Sequence, residues 1–162
     1  MLKMNNECYQ RALRLLTQRE YSRPKLVNKL SQVGFDREDA TLVCQHLFEK
    51  GFLKEQWYIE SKIKHFMRKG HAPKSIQSRL AAEELNVEIC IIEDVFKEYG
   101  SSKEDQLEHL LEKKAASIRN SWHEYDSDQR YKVKMKLARS LVAKGFSPNE
   151  GLRAVEAYLN NI

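Results

Sequence analysis

Between Phe52 and Leu80 a one-sided apolar pattern runs into Gly70 and restarts at Pro73, and that punctuation restricts the chain to short helices joined by tight turns. Ile59, Ile63 and Phe66 recur at i, i+4 and i+7, so the spacing predicts one buried helical face just after Trp57 and Tyr58. Gly70 has no Cβ and suits the left-handed residue that ends a helix, while Pro73 suits the first turn of the next. The expectation is a helix–turn–helix. From Ser61 to Arg79 it carries Lys62, Lys64, Arg68, Lys69, Lys74 and Arg79 with no Asp or Glu, so its turn is expected to be wrapped in positive charge.

The same design recurs. Tyr9, Leu13 and Leu16 repeat the spacing of Ile59, Ile63 and Phe66 fifty residues earlier, behind a cap at Asn5 or Asn6. Ser22-Arg-Pro24 opens a second helix with Leu26 and Leu30 inward, Gly34 ends it, Phe35 seals the turn, and Asp36 caps a third helix carrying Ala40, Val43, Cys44 and Leu47 up to Gly51. In the second unit Ile76 and Leu80 replace Leu26 and Leu30, Leu85 replaces Phe35, and Asn86 is read as the cap before Ile89, Ile92, Val95 and Phe96. After Gly100-Ser101-Ser102 come Leu107, Leu110, Leu111, Ala115 and Ile118, then a segment 120–129 read as a loop or helical extension. Val133, Leu137 and Leu141 resume the pattern, Gly145-Phe146 reproduces Gly34-Phe35, and Ser147-Pro148 starts a last helix with Leu152, Val155 and Leu159 inward. The chain therefore reads as all-α, with three imperfect three-helix repeats at 5–53, 54–100 and 101–162. Each is too small to bury much alone, so they are expected to stack into an elongated, curved body.

Function classes narrow by exclusion. No G-x-S-x-G elbow, Walker loop, H-E-x-x-H helix or dinucleotide fingerprint is present, and acid pairs such as Glu83-Glu84 and Asp126/Asp128 read as surface charges, so no enzyme is expected. Cys8, Cys44 and Cys90 form no C-x-x-C pair and read as buried reduced thiols; His65 and His71 lack a third ligand, so neither metal nor cofactor is expected. No apolar run approaches the roughly 20 residues of a membrane span, and the chain reads as cytoplasmic, with no membrane partner.

Charge supplies the positive signal. The net +5 is modest, but its distribution is not. Arg130 to Lys144 holds Arg130, Lys132, Lys134, Lys136, Arg139 and Lys144 without an acid, and Arg11 to Lys29 repeats the bias against Glu20 alone. Acids collect in third helices, as from Glu83 to Glu98. First and second helices would then align as a basic face, with Lys62, Lys64, Arg68, Lys69, Lys74, Arg79, Arg130, Lys132, Lys136 and Arg139 as candidate contacts. Base readout is not expected, since the nearest set is only Ser75, Gln77, Ser78 and Arg79. Trp57, Tyr58, Trp122, Tyr125 and Tyr131 are read as helix packing first and as base-stacking platforms second.

SRPKLVNKLSQVGF, FLKEQWYIESKIKHFMRKGHAPKSIQSRL and KLARSLVAKGFS together resemble the bacterial RecX regulatory family over nearly the whole chain, most specifically at Lys69-Gly70-His71-Ala72-Pro73 with Ile76 and Leu80. The pattern departs at Lys54, at Ala72, where glycine is common, and at Glu84-Leu85, where Gly-Ile or Gly-Val is typical. The resemblance implies tandem three-helix repeats and a modulator of RecA; the chain is expected to be a monomer. It would bind the RecA nucleoprotein filament and inhibit its extension, ATP hydrolysis and strand exchange, contacting single-stranded and secondarily double-stranded DNA. A DNA-binding helical protein without sequence preference, acting by competition for DNA, is the alternative.

Overall fold

A computed structural model describes residues 5–162. Among them the chain forms nine α-helices and no strand: α1 (Asn6–Gln18), α2 (Arg23–Gln32), α3 (Arg37–Glu49), α4 (Glu55–Arg68), α5 (Pro73–Ala81), α6 (Ile89–Glu98), α7 (Lys103–Ala115), α8 (Ser127–Val142) and α9 (Pro148–Leu159).

Six helix ends close with the same turn. A residue with positive φ is followed by one whose N–H reaches back five residues, as in Phe35 to Leu30 (3.2 Å), His71 to Phe66 (3.0 Å) and Phe146 to Leu141 (3.3 Å). Glycine takes the left-handed position at 34, 51, 70, 100 and 145; Glu84 takes it after α5, at φ 62, and Leu85 still bonds back to Leu80 at 3.0 Å. The departure from glycine at 84 thus leaves the turn intact.

Two compact units result. The first runs through Lys64 and takes in Arg79–Asn86; the second comprises His65–Ser78 and Val87–Ile162. In the first, Leu26, Leu30, Ala40, Val43 and Leu47 are wholly buried, and Asn5, Ser22 and Asp36 cap α1, α2 and α3 with their side chains. The buried line of α1 is Cys8, Ala12 and Leu15, one residue out of phase with the expectation; Tyr9, Leu13 and Leu16 pack around it, half-buried. Small side chains at 8 and 12 permit closer approach of helices, which the larger flanking residues then surround. Phe35 is likewise half-buried, as are Ile59 and Phe66 on α4, whose wholly buried residue is Ile63.

The core of the second unit gathers Leu107, Leu110, Leu111, Leu137, Leu141, Phe146, Val155 and Leu159 around Ala72. Capping boxes open its last three helices, Ser102 with Asp105, Asp126 with Gln129, and Ser147 with Glu150. The segment 120–129 holds a 3-10 turn at Trp122–Glu124 before the Asp126 cap. Asn86 does not cap α6. The helix begins behind Glu88, which makes no side-chain cap, because Val87 is buried and its carbonyl accepts from Gln77 Nε2 at 3.0 Å, holding the chain extended for one more step.

Candidate nucleic-acid interface

The turn expected to be wrapped in positive charge is buried. Gly70, His71 and Ala72 are all inside the second unit, and the Ala72 N–H donates to the Lys144 carbonyl at 2.8 Å. A Cβ on Gly70 would stand 2.6 Å from Leu110 Cδ2, and one on Gly145 only 2.4 Å from Ser75 Cβ. His71 Nδ1 lies 3.1 Å from Ser75 Oγ, and its ring meets Phe66 edge-on. The turn is therefore a joint between the α4–α5 corner, α7 and the α8–α9 turn. It presents no backbone to a groove.

Local bonding also absorbs the residues nearest to base readout. Gln77 is committed to the Val87 carbonyl, Ser78 Oγ donates to the Lys74 carbonyl at 3.1 Å, and Ser75 faces His71.

The ten candidate cations divide by environment. Lys62 is half-buried and paired with Glu83 at 3.1 Å, and Lys64 is half-buried and paired with Glu60 on the preceding turn. Arg68, Lys69, Lys74 and Arg79 are exposed or half-exposed at the end of α4 and along α5. Arg130, Lys132, Lys136 and Arg139 are exposed on α8, with Lys132, Lys136 and Arg139 on one face by their i, i+4, i+7 spacing. Lys132 pairs with Asp128 at 2.6 Å in full solvent, and such a pair holds little net energy against a competing phosphate. Arg130 donates to the His123 carbonyl and lies over the Trp122 ring at 5.4 Å.

Glu83 is not the solvated surface charge that its sequence neighbours suggest. Its carboxylate collects Lys62, Lys25 at 3.1 Å and the Tyr58 hydroxyl at 2.6 Å, and Lys25 Nζ also donates to Tyr58 Oη at 2.8 Å. Burial pulls the Glu83 carboxyl upward, but hydrogen bonds from Tyr58, Lys62 and Lys25 outweigh it and hold the group below the usual range. Burial first, and then the bond to Glu83, pushes the Tyr58 phenol to about 12. A carboxylate so held stays ionised and structural, with no proton to exchange near neutrality.

The aromatic candidates separate in the same way. Tyr58 is buried, and Trp122 and Tyr125 pack edge-on against each other with centroids 6.2 Å apart. Trp57 and Tyr131 are exposed, at 54% and 62%, and Lys54 Nζ sits 3.8 Å over the Trp57 ring. Cys8 and Cys44 are buried, and burial pushes both thiols up, Cys44 to about 12; Cys90, expected to be buried, is exposed on the outer face of α6. Among the described residues no group of three or more His, Cys, Asp or Glu could hold a metal ion, and no helix is long and apolar enough to cross a membrane.

Residues 8–47 match the family described as RecX, first three-helix domain. The regulatory protein RecX of Trichlorobacter lovleyi is 32% identical over 117 residues, covering 70% of this chain and 74% of that protein. The regulatory protein RecX of Pseudomonas syringae pv. tomato is 30% identical over 105 residues, and the match spans 66% of its length and 65% of this chain. The crystal structure of RecX from Lactobacillus salivarius superposes with a TM-score of 0.69 at 21% identity, covering 97% of both chains, a likeness of fold.

Proposed function

The chain belongs to the regulatory protein RecX family, and from that premise we propose that it binds the RecA–DNA filament and inhibits its extension, ATP hydrolysis and strand exchange. Family membership carries the reading. The exposed cations of α5 and α8 supply its physical means, since side chains held in solvent on short helices reach phosphates or an acidic protein surface without rearranging the core. In this reading three three-helix repeats, 5–53, 54–100 and 101–162, offer several such clusters, so one molecule engages its target at more than one point and gains from the linkage. Lys62 and Lys64 are set aside as contacts because both serve ion pairs within the first unit. Lys69, Lys74, Arg79, Lys132, Lys136 and Arg139 are the working set.

The test is the DNA-dependent ATPase of RecA titrated with the full chain. Inhibition is expected at concentrations below those that coat the DNA, and Lys132→Glu, Lys136→Glu and Arg139→Glu together should weaken it while helix content stays unchanged. For every phosphate that the variant no longer neutralises, the salt slope for single-stranded DNA should fall by about 0.7. Inhibition that follows DNA occupancy at every salt concentration would replace this reading with simple competition for DNA.

A further inference from the structure

The first unit leaves three large aromatics in solvent close together in sequence. Phe48 at the end of α3, Phe52 in the connecting turn and Trp57 in the first turn of α4 are 40%, 58% and 54% exposed. Phe48 and Trp57 line one cleft of about 550 Å³, together with Leu53 and Ile59. A lone exposed aromatic is ordinary on a surface, but two lining one cleft beside a third form the kind of patch that marks a binding face.

The charges around the cleft are unevenly engaged. Its carboxylate, Glu55, is clamped by Arg23, accepting from the backbone N–H at 2.8 Å and from Nη2 at 3.3 Å, and the Arg23 guanidinium also lies over the Phe48 ring at 4.3 Å. Lys54, by contrast, is exposed, meets no carboxylate among the described residues, and holds its Nζ 3.8 Å from the centroid of the Trp57 ring. In solvent such a cation–π contact is weak and easily exchanged. The fold does not call for a lysine at this place. Its carbonyl accepts the Trp57 and Tyr58 N–H groups at the start of α4, where Ser, Thr, Asp or Asn would cap the helix and a cation opposes its dipole.

An apolar helix laid on these rings would bury the Lys54 ammonium beside no acid. A double helix keeps its bases stacked inside and offers phosphate alone. A single strand brings both groups that the cleft can use, a flat base for the indole and a phosphate for the ammonium. We infer that Trp57 is a stacking platform for an unpaired base of single-stranded DNA, with Lys54 passing from the indole face to the adjacent phosphate as the base arrives. The site rests on the DNA contact of the proposed function and deepens it: it adds, on the first unit, a residue that engages bases rather than backbone charge.

The full chain, without RecA, is titrated with oligothymidylate and with an abasic strand of the same length and charge. The intact protein should prefer the base-bearing strand by about tenfold or more. Trp57→Ala should erase that preference while helix content and the affinity for the abasic strand stay unchanged, and Trp57→Tyr should keep most of it. Lys54→Gln should keep the preference and lower the salt slope on oligothymidylate by about 0.7. Absence of a preference overturns the inference, as does one that survives Trp57→Ala or a loss that falls equally on both strands. So does a Trp57→Ala variant that inhibits RecA less with its strand binding unchanged, since the patch would then hold a protein. The ATPase of RecA is read separately on the intact chain: a preference without inhibition sinks the regulatory reading alone, and inhibition without a preference sinks this site alone.

Discussion

Gly34 and Gly145 occupy the same place in their turns, each following a wholly buried leucine by four residues and preceding a phenylalanine, but their surroundings differ. Both have positive φ, 107° and 94°; a Cβ at Gly34 would meet nothing within 4 Å, whereas one at Gly145 would stand 2.4 Å from Ser75 Cβ and 3.3 Å from the Ser75 backbone. Gly34→Ala should therefore cost only the left-handed conformation, about 1–2 kcal/mol. Gly145→Ala adds overpacking against α5, a further ~1–3 kcal/mol. Urea unfolding of both variants, with unchanged m-values, measures the difference directly. Ser75→Gly should recover part of the Gly145→Ala loss, and the double-mutant cycle should give a coupling of about 1 kcal/mol or more. Equal losses at the two glycines, or no coupling to Ser75, would refute the close approach of the α8–α9 turn to α5.

Stability should fall in acid as pH drops from about 5 toward 2, because the folded pKa values of Glu83 and Glu150 lie below their ordinary value of 4.5, that of Glu150 at about 2 through its bonds to Lys103 and Ser147. Each stabilises fully above the unfolded value and loses its contribution as pH falls through the folded one; Glu83→Gln should flatten part of that slope in a pH series of denaturation midpoints. Tyr58 gives the opposite limb: its raised pKa, about 12, means that stability declines between about pH 10 and 12, and Tyr58→Phe should remove that decline and one late step in phenolate absorbance. Glu84→Gly should stabilise the chain by about 1 kcal/mol by relieving the non-glycine residue at φ 62, which a thermal melt will register. A chain ending at Gly100 lacks Leu110 and the Lys144 carbonyl, so hydrogen exchange at the His71 and Ala72 amides should lose its protection.

What was legible in the sequence was local. Glycine at five helix ends and Ser or Asp ahead of most helix starts announce themselves within a few residues, and the caps at Asn5, Ser22, Asp36 and Ser147 follow the reading. The phase of α1 was missed because Cys8 and Ala12 are small and Tyr9 and Leu13 are large, so hydrophobic size pointed one residue away from the line of closest approach. The start of α6 was missed because Asn86 is a good cap by type, whereas Val87 is drawn inward and Gln77, ten residues earlier, holds its carbonyl. Non-local partners were invisible: nothing near Lys62 announces Glu83, and nothing near Gly70 announces Leu110.

Burial of Gly70, His71 and Ala72 within Lys69-Gly70-His71-Ala72-Pro73 changes what the most distinctive stretch of the chain means. A motif recognised by its glycine, histidine and proline invites a role at a surface, yet the middle of it is a tight joint in the second unit, where Gly70 admits Leu110 and Ala72 bonds to the turn after α8. Substitutions there act first on folding, and reduced activity in such a variant says nothing about a binding surface until stability has been measured beside it. Side chains able to exchange partners lie on either side of that joint, at Lys69 and Lys74, and on α8 at Lys132, Lys136 and Arg139, where solvent already screens what pairs they make. Reversing these charges leaves the apolar stripe untouched. Weaker DNA or RecA binding in those variants therefore reports on the interface itself, whereas the same effect on reversing Lys62 would also report the acid left facing Glu83.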